Sequence, residues 1–138
     1  MSQLRLRRTG LRDVAAGTEV TASFTNESTA SCQMFGYPTP LLLSAGGAQL
    51  PTDVQQGSGI AGLAFVATVV PVGPGGSASF RLVFQSAPPP GASAGSGCER
   101  ASSMEIRPPY DGDHLVLNGP FTVCDGGTVS VSPLYAIR

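Results

Sequence analysis

Eight residues constrain this chain more than any others. From Ser77 to Phe84, Ala78, Phe80, Leu82 and Phe84 fall on one side, and Ser77, Ser79, Arg81 and Val83 on the other. A period of two is the mark of a β-strand with one face against a core. Pro74-Gly75-Gly76 stands directly before it and is the sharpest turn signal in the sequence. The same pattern recurs. Leu4 and Leu6 alternate with Gln3, Arg5 and Arg7, and Val20, Ala22 and Phe24 alternate with Thr21, Ser23 and Thr25. The chain carries 18 Gly and 12 Pro, both poor in helix interiors. Short strands joined by tight turns are therefore expected, with no helix.

Turns are expected at Asp13–Gly17, Asn26–Thr29, Ala45-Gly46-Gly47, Tyr110–Asp113, Asn118-Gly119-Pro120 and Asp125-Gly126-Gly127. Cys32, Met34 and Phe35 begin a strand that the two prolines of Gly36–Pro40 mark as an edge or a bend. Leu41-Leu42-Leu43 reads as a strand covered on both faces, and Phe65–Val72 as a further β-branched strand. The polar Pro51–Gly62 and the Pro/Gly-rich Ala87–Gly97 read as loops. Met104–Ile106, Leu115–Leu117, Phe121–Val123 and Val129–Val131 complete the set. About seven to nine strands with turns at regular spacing predict a single domain, residues 1–138, folded as an immunoglobulin-like antiparallel β-sandwich.

Hydrophobic residues at 41% and charged residues at 12% argue for a packed core rather than disorder. Net charge is −1, and all eight basic residues are Arg, four of them (Arg5, Arg7, Arg8 and Arg12) near the start. One short basic stretch in a near-neutral chain argues against a nucleic-acid partner, since phosphate neutralisation dominates that binding. No apolar run reaches the ~18–20 residues of a membrane helix. The opening residues already alternate as a strand, which points to a chain that follows a removed export signal.

The three cysteines are widely spaced and include no Cys-x-x-Cys, so neither a zinc site nor a redox pair is expected. An antiparallel pair formed by Met104–Ile106 and Leu115–Leu117 would bring Cys98 and Cys124 to one end of the sheet, where a disulfide can close. Cys32 then has two readings: pairing with a cysteine just upstream of Ser2, or a buried thiol.

The segments Thr25–Cys32, Gly36-Tyr37-Pro38, Val72–Ala78, and Val123-Cys124 with Val129–Pro133 resemble the actinobacterial secreted family called domain of unknown function 4232. The resemblance runs from Leu4 to Pro133. It implies export or a lipoprotein anchor and a further cysteine near the start of the domain, where this chain has Met1. It implies no activity.

His114, the one histidine, could form a triad with Asp111 or Asp113 and a serine, but no Gly-x-Ser-x-Gly elbow is present. A histidine following a turn at a strand edge is the simpler reading. Asp111-Gly112-Asp113 lacks the spaced oxygen ligands of a calcium loop. Asn26-Glu27-Ser28 fits the glycosylation acceptor pattern, a frequent chance match. Glu19, Glu27, Glu99 and Glu105 are too dispersed to suggest a carboxylate pair. Tyr37 and Tyr110, among loop prolines, are candidates for a binding surface. The expectation is an exported or envelope-attached binding or scaffold domain, extracellular, with no catalytic residues and no cofactor or metal. Its partner would be another envelope or secreted protein, and membrane contact would come only through an N-terminal lipid anchor. A hydrolase around His114 and a small-ligand carrier with a cavity between the sheets are the alternatives.

Overall fold

The computed structural model describes residues 3–14, 17–57, 67–86, 98–109 and 114–136. Among them are eleven strands and no helix: β1 (Leu4–Val14), β2 (Gly17–Asn26), β3 (Cys32–Met34), β4 (Thr39–Leu43), β5 (Asp53–Gln56), β6 (Val70–Val72), β7 (Ser77–Phe84), β8 (Glu99–Arg107), β9 (Leu115–Val123), β10 (Thr128–Val131) and β11 (Tyr135–Ala136). They form a six-stranded sheet in the order β1-β2-β7-β10-β5 with β11 also on β7, a three-stranded sheet β4-β8-β9, and a β3-β6 ribbon.

The alternation around Phe80 places β7 at the centre of the large sheet. Ala78, Phe80, Leu82 and Phe84 are buried, and Ala22, Phe24 and Val20 lie opposite them on β2. Phe24 stacks on Phe80 with ring centroids 5.1 Å apart, and Phe84 meets Phe121 of β9 edge to face at 6.1 Å. Each such pair adds about 0.5–1.5 kcal/mol beyond the area it buries. One core cluster draws on all three sheets, with Met34 and Val72 from the ribbon and Leu42, Met104, Ile106 and Val123 from the small sheet. The outer face of β2 and β7 is polar: Ser23 bonds Ser79 at 2.8 Å and Thr25 bonds Ser77 at 2.9 Å.

Several expectations are corrected. The strands number eleven among the described residues, because short polar edge strands carry no apolar alternation. Pro51–Gly62 holds β5, which pairs with β10 in parallel, so the sheets are not wholly antiparallel. Leu41-Leu42-Leu43 is covered on one face only: Leu42 is buried, while Leu41 and Leu43 are half-buried. Asn118-Gly119-Pro120 is not a turn but the middle of β9, where a bulge opposite Ala101–Ser103 and a cis Gly119–Pro120 bond accommodate it. Asp13 and Val14 extend β1 and leave only residues 15–16 between it and β2. Of Phe65–Val72, only Val70–Val72 is a described strand; residues 58–66 lie outside the described residues, as do the Ala87–Gly97 loop and the Tyr110–Asp113 turn. Proline usage follows sheet position, since Pro40 and Pro120 both lie on edge strands of the small sheet.

Candidate functional site

Asn26 organises one end of the large sheet. It is fully buried. Its Nδ2 donates to Ala30 O at 2.8 Å and Val72 O at 3.1 Å, and its Oδ1 accepts from Ser28 N at 2.9 Å and Ser28 Oγ at 2.6 Å. Its backbone is held by Gly75 and Gly76 of the Pro74-Gly75-Gly76 turn. With both amide hydrogens used inside the protein, Asn26 in the folded domain is no glycan acceptor. Its role is to tie β2, the following loop and β6 together.

The other end of the sheet differs. β1 is an edge strand with β2 as its single partner. A bulge between Arg8 and Gly10 shifts its register. Before the bulge Arg8 lies opposite Ala22, whose side chain faces the core; beyond it Leu11 lies opposite Val20 and Asp13 opposite Thr18. A one-residue slip reverses which side chains face inward, so the bulge is what turns Leu11 to the inner face. The core does not extend far enough to cover it, and Leu11 remains 59% exposed. Across from these residues lie Pro120, Phe121 and Thr122 of β9, the edge of the small sheet. Between the two edges is an open cleft of about 300 Å³, floored by Phe84 and Phe121. At this end the Cys98–Cys124 disulfide joins the start of β8 to the end of β9 within the small sheet, and a Cys124 N–Gln85 O hydrogen bond of 2.7 Å links that end to the large sheet just beyond β7.

β1 also carries the arginine cluster. Arg5 pairs with Glu27 at 3.4 Å and Arg12 with the buried Glu19 at 2.9 Å. Arg7 and Arg8 are exposed and have no acidic partner among the described residues.

The remaining sequence candidates lie apart from the cleft. His114 Nδ1 contacts Glu105 Oε1 at 2.5 Å on the small sheet, and the histidine side chain is about half exposed there. Among the described residues no hydroxyl or thiol is hydrogen-bonded to His114, and Asp111 and Asp113 lie outside them. A second hollow, about 210 Å³, runs past Glu105 and Arg107 to Val54 of β5 and Thr52 just before it. Tyr37 is half-buried and packs against the core; Tyr110 lies outside the described residues. Cys32, half-buried in β3 opposite Val72, stands outside the Cys98–Cys124 disulfide. No three His, Cys, Asp or Glu side chains among the described residues cluster as metal ligands, and no helix there is long and apolar enough to cross a membrane. The cleft went unread in the sequence; its one signal was an arginine-rich strand whose apolar spacing skips from Leu6 to Leu11.

The chain is thus a disulfide-bonded all-β domain with an open side between two sheet edges. It belongs to the family described as Domain of unknown function (DUF4232), whose model matches residues 1–135. No curated protein and no solved structure matches it.

Proposed function

We propose that this is an exported, immunoglobulin-like β-sandwich that binds another envelope or secreted protein, without catalysis, through the side where β1 and β9 stand apart. The observation that carries the reading is Leu11, more than half exposed beside Arg8, which has no acidic partner among the described residues, over a cleft that the core leaves open. A lone exposed leucine would be ordinary surface, but Leu11 shares its cleft with Pro120, Phe84 and Phe121 inside a polar rim, and a contiguous apolar patch of that kind marks an interaction site. The disulfide supports an oxidising compartment, where such bonds persist. A lipid anchor ahead of the domain would suit this role. The cleft is open and half polar, which favours a macromolecular partner over an enclosed small ligand. The His114–Glu105 pair lies away from this cleft, on the small sheet, and no hydroxyl or thiol among the described residues is bonded to it.

The test places a photo-crosslinking side chain at Leu11, and separately at Val116 on the outer face of the small sheet, in the full-length protein in its host. Val116 is also exposed, at 48%. Crosslinks to a defined protein from position 11 and not from 116 are expected. Equal yields, or none at 11, would refute the site.

A further inference from the structure

The open side of the domain offers backbone as well as side chains. In an antiparallel pair, alternate residues turn their N–H and C=O groups away from the partner strand. β1 has eleven residues and one partner. Among the described residues, no third strand is hydrogen-bonded to its outward groups, although β9 comes near part of it without pairing. Such an edge is a template for a further strand unless something blunts it. The bulge at Arg8–Gly10 and four arginines do blunt it against a second copy of itself, because β1 beside β1 would bring eight arginines together. They do not blunt it against an acidic strand.

Resting on the binding role proposed above, the geometry points to β1 as the acceptor for an added strand: an extended, acidic segment of another protein, carrying an apolar side chain for the cleft. Arg5 and Arg12 already have their own carboxylates. Among the described residues Arg7 and Arg8, on opposite faces of the strand, do not, so carboxylates on either face of an incoming segment find a cation. On the inner face the order is Arg8, Leu11, Asp13. This sequence of cation, apolar residue and anion fixes the register of the guest. Its carboxylate sits by Arg8, its apolar side chain enters between Leu11, Pro120 and Phe121, and Asp13 repels an acid placed at the far end. Main-chain bonds supply affinity and the alternate side chains supply specificity, as in other strand-addition complexes.

The experiment selects nonapeptides from a displayed random library on the disulfide-intact domain, then measures binding and amide exchange with synthetic copies. Selected peptides are expected to carry Asp or Glu and an alternating apolar residue, and to protect outward-facing amides of Arg7–Asp13. N-methylation along one edge of the peptide should abolish binding and along the other leave it intact. Arg8→Gln should weaken binding about fivefold, the upper range for an exposed ion pair, and more so at low salt. A library that yields no binder, peptides that leave β1 amides unprotected, or equal sensitivity to N-methylation of both edges would overturn strand addition. Crosslinking from Leu11 in the host alongside any of these failures would leave the binding role standing, with a different mode of contact.

Discussion

Replacing Asn26 by Asp changes one atom's chemistry and almost no volume, so its cost isolates the hydrogen bonding of a single buried side chain. Asn26 Oδ1 accepts twice from Ser28, and an aspartate oxygen can do the same. The loss is on the other side, where Nδ2 donates to the carbonyls of Ala30 and Val72. A carboxylate there would face two carbonyl oxygens in a site closed to water. If the loop stays closed, the carboxyl must hold a proton, with which it can donate to one of the two. Keeping an ordinary aspartate, pKa about 3.9, protonated at pH 7 costs about 4 kcal/mol. The orphaned second carbonyl adds about 1–3 kcal/mol. Asn26→Asp should therefore lose about 5 kcal/mol at pH 7, a large share of the stability of an ordinary domain, with local opening of the loop as the ceiling. The sign with pH follows. The folded variant binds this proton more tightly than the unfolded chain, so the deficit against wild type shrinks as pH falls from 7 toward 4. Urea denaturation of both proteins at pH 7 and pH 4 measures the difference. A deficit below about 1 kcal/mol at pH 7, or one that does not change with pH, would refute the account of Asn26 as a buried tie.

Three further outcomes follow from the structure. Removing the cystine with Cys98→Ala and Cys124→Ala frees a loop of sequence separation 26; the chain-entropy relation gives about 3.5 kcal/mol, seen as a drop of about 12 °C in Tm for a chain of this length. Gly127→Ala should cost more than about 2 kcal/mol in urea denaturation, because Gly127 has φ +83° and an added Cβ would lie 2.0 Å from Pro51 O, pushing β5 off β10. His114→Ala should change stability by less than about 1 kcal/mol, since its pair with Glu105 is on the surface; in binding assays with peptides selected on the wild type, the variant should match it.

The sequence was most legible where a strand has one dry face. Ala78, Phe80, Leu82 and Phe84 are buried as their spacing requires, and the turns at Pro74–Gly76 and Asp125–Gly127 lie where glycine can take positive φ. The Cys98–Cys124 link was legible because antiparallel pairing of Met104–Ile106 with Leu115–Leu117 brings both cysteines to one end of the sheet; the bulge at Ala101–Ser103, which the sequence did not show, then sets Glu99 opposite Val123. Illegible were elements whose stability is tertiary. β5 is Asp-Val-Gln-Gln, and only Val54 among them packs against the core; it becomes a strand because β10 lies beside it. β11, two residues long, exists because Ser132 N and Leu134 N are held by Arg81 O and Gly36 O. The cleft depends on a bulge, and a bulge is invisible to a periodicity count. Leu11 looks like one more strand leucine until the register is known.

The order of strands also decides how the domain stands on whatever holds it. Leu4 lies beside Asn26, Thr25 beside Ser77, and Ala78 beside Ala136, so the first and last strands begin and end on the same rim, about 14 Å apart at three strand spacings. Leu11 and Asp13 lie at the opposite rim, about 25–30 Å along β1. A support joined at either terminus would thus carry the domain like a post, with the arginine-lined opening at its top and clear of the surface beneath.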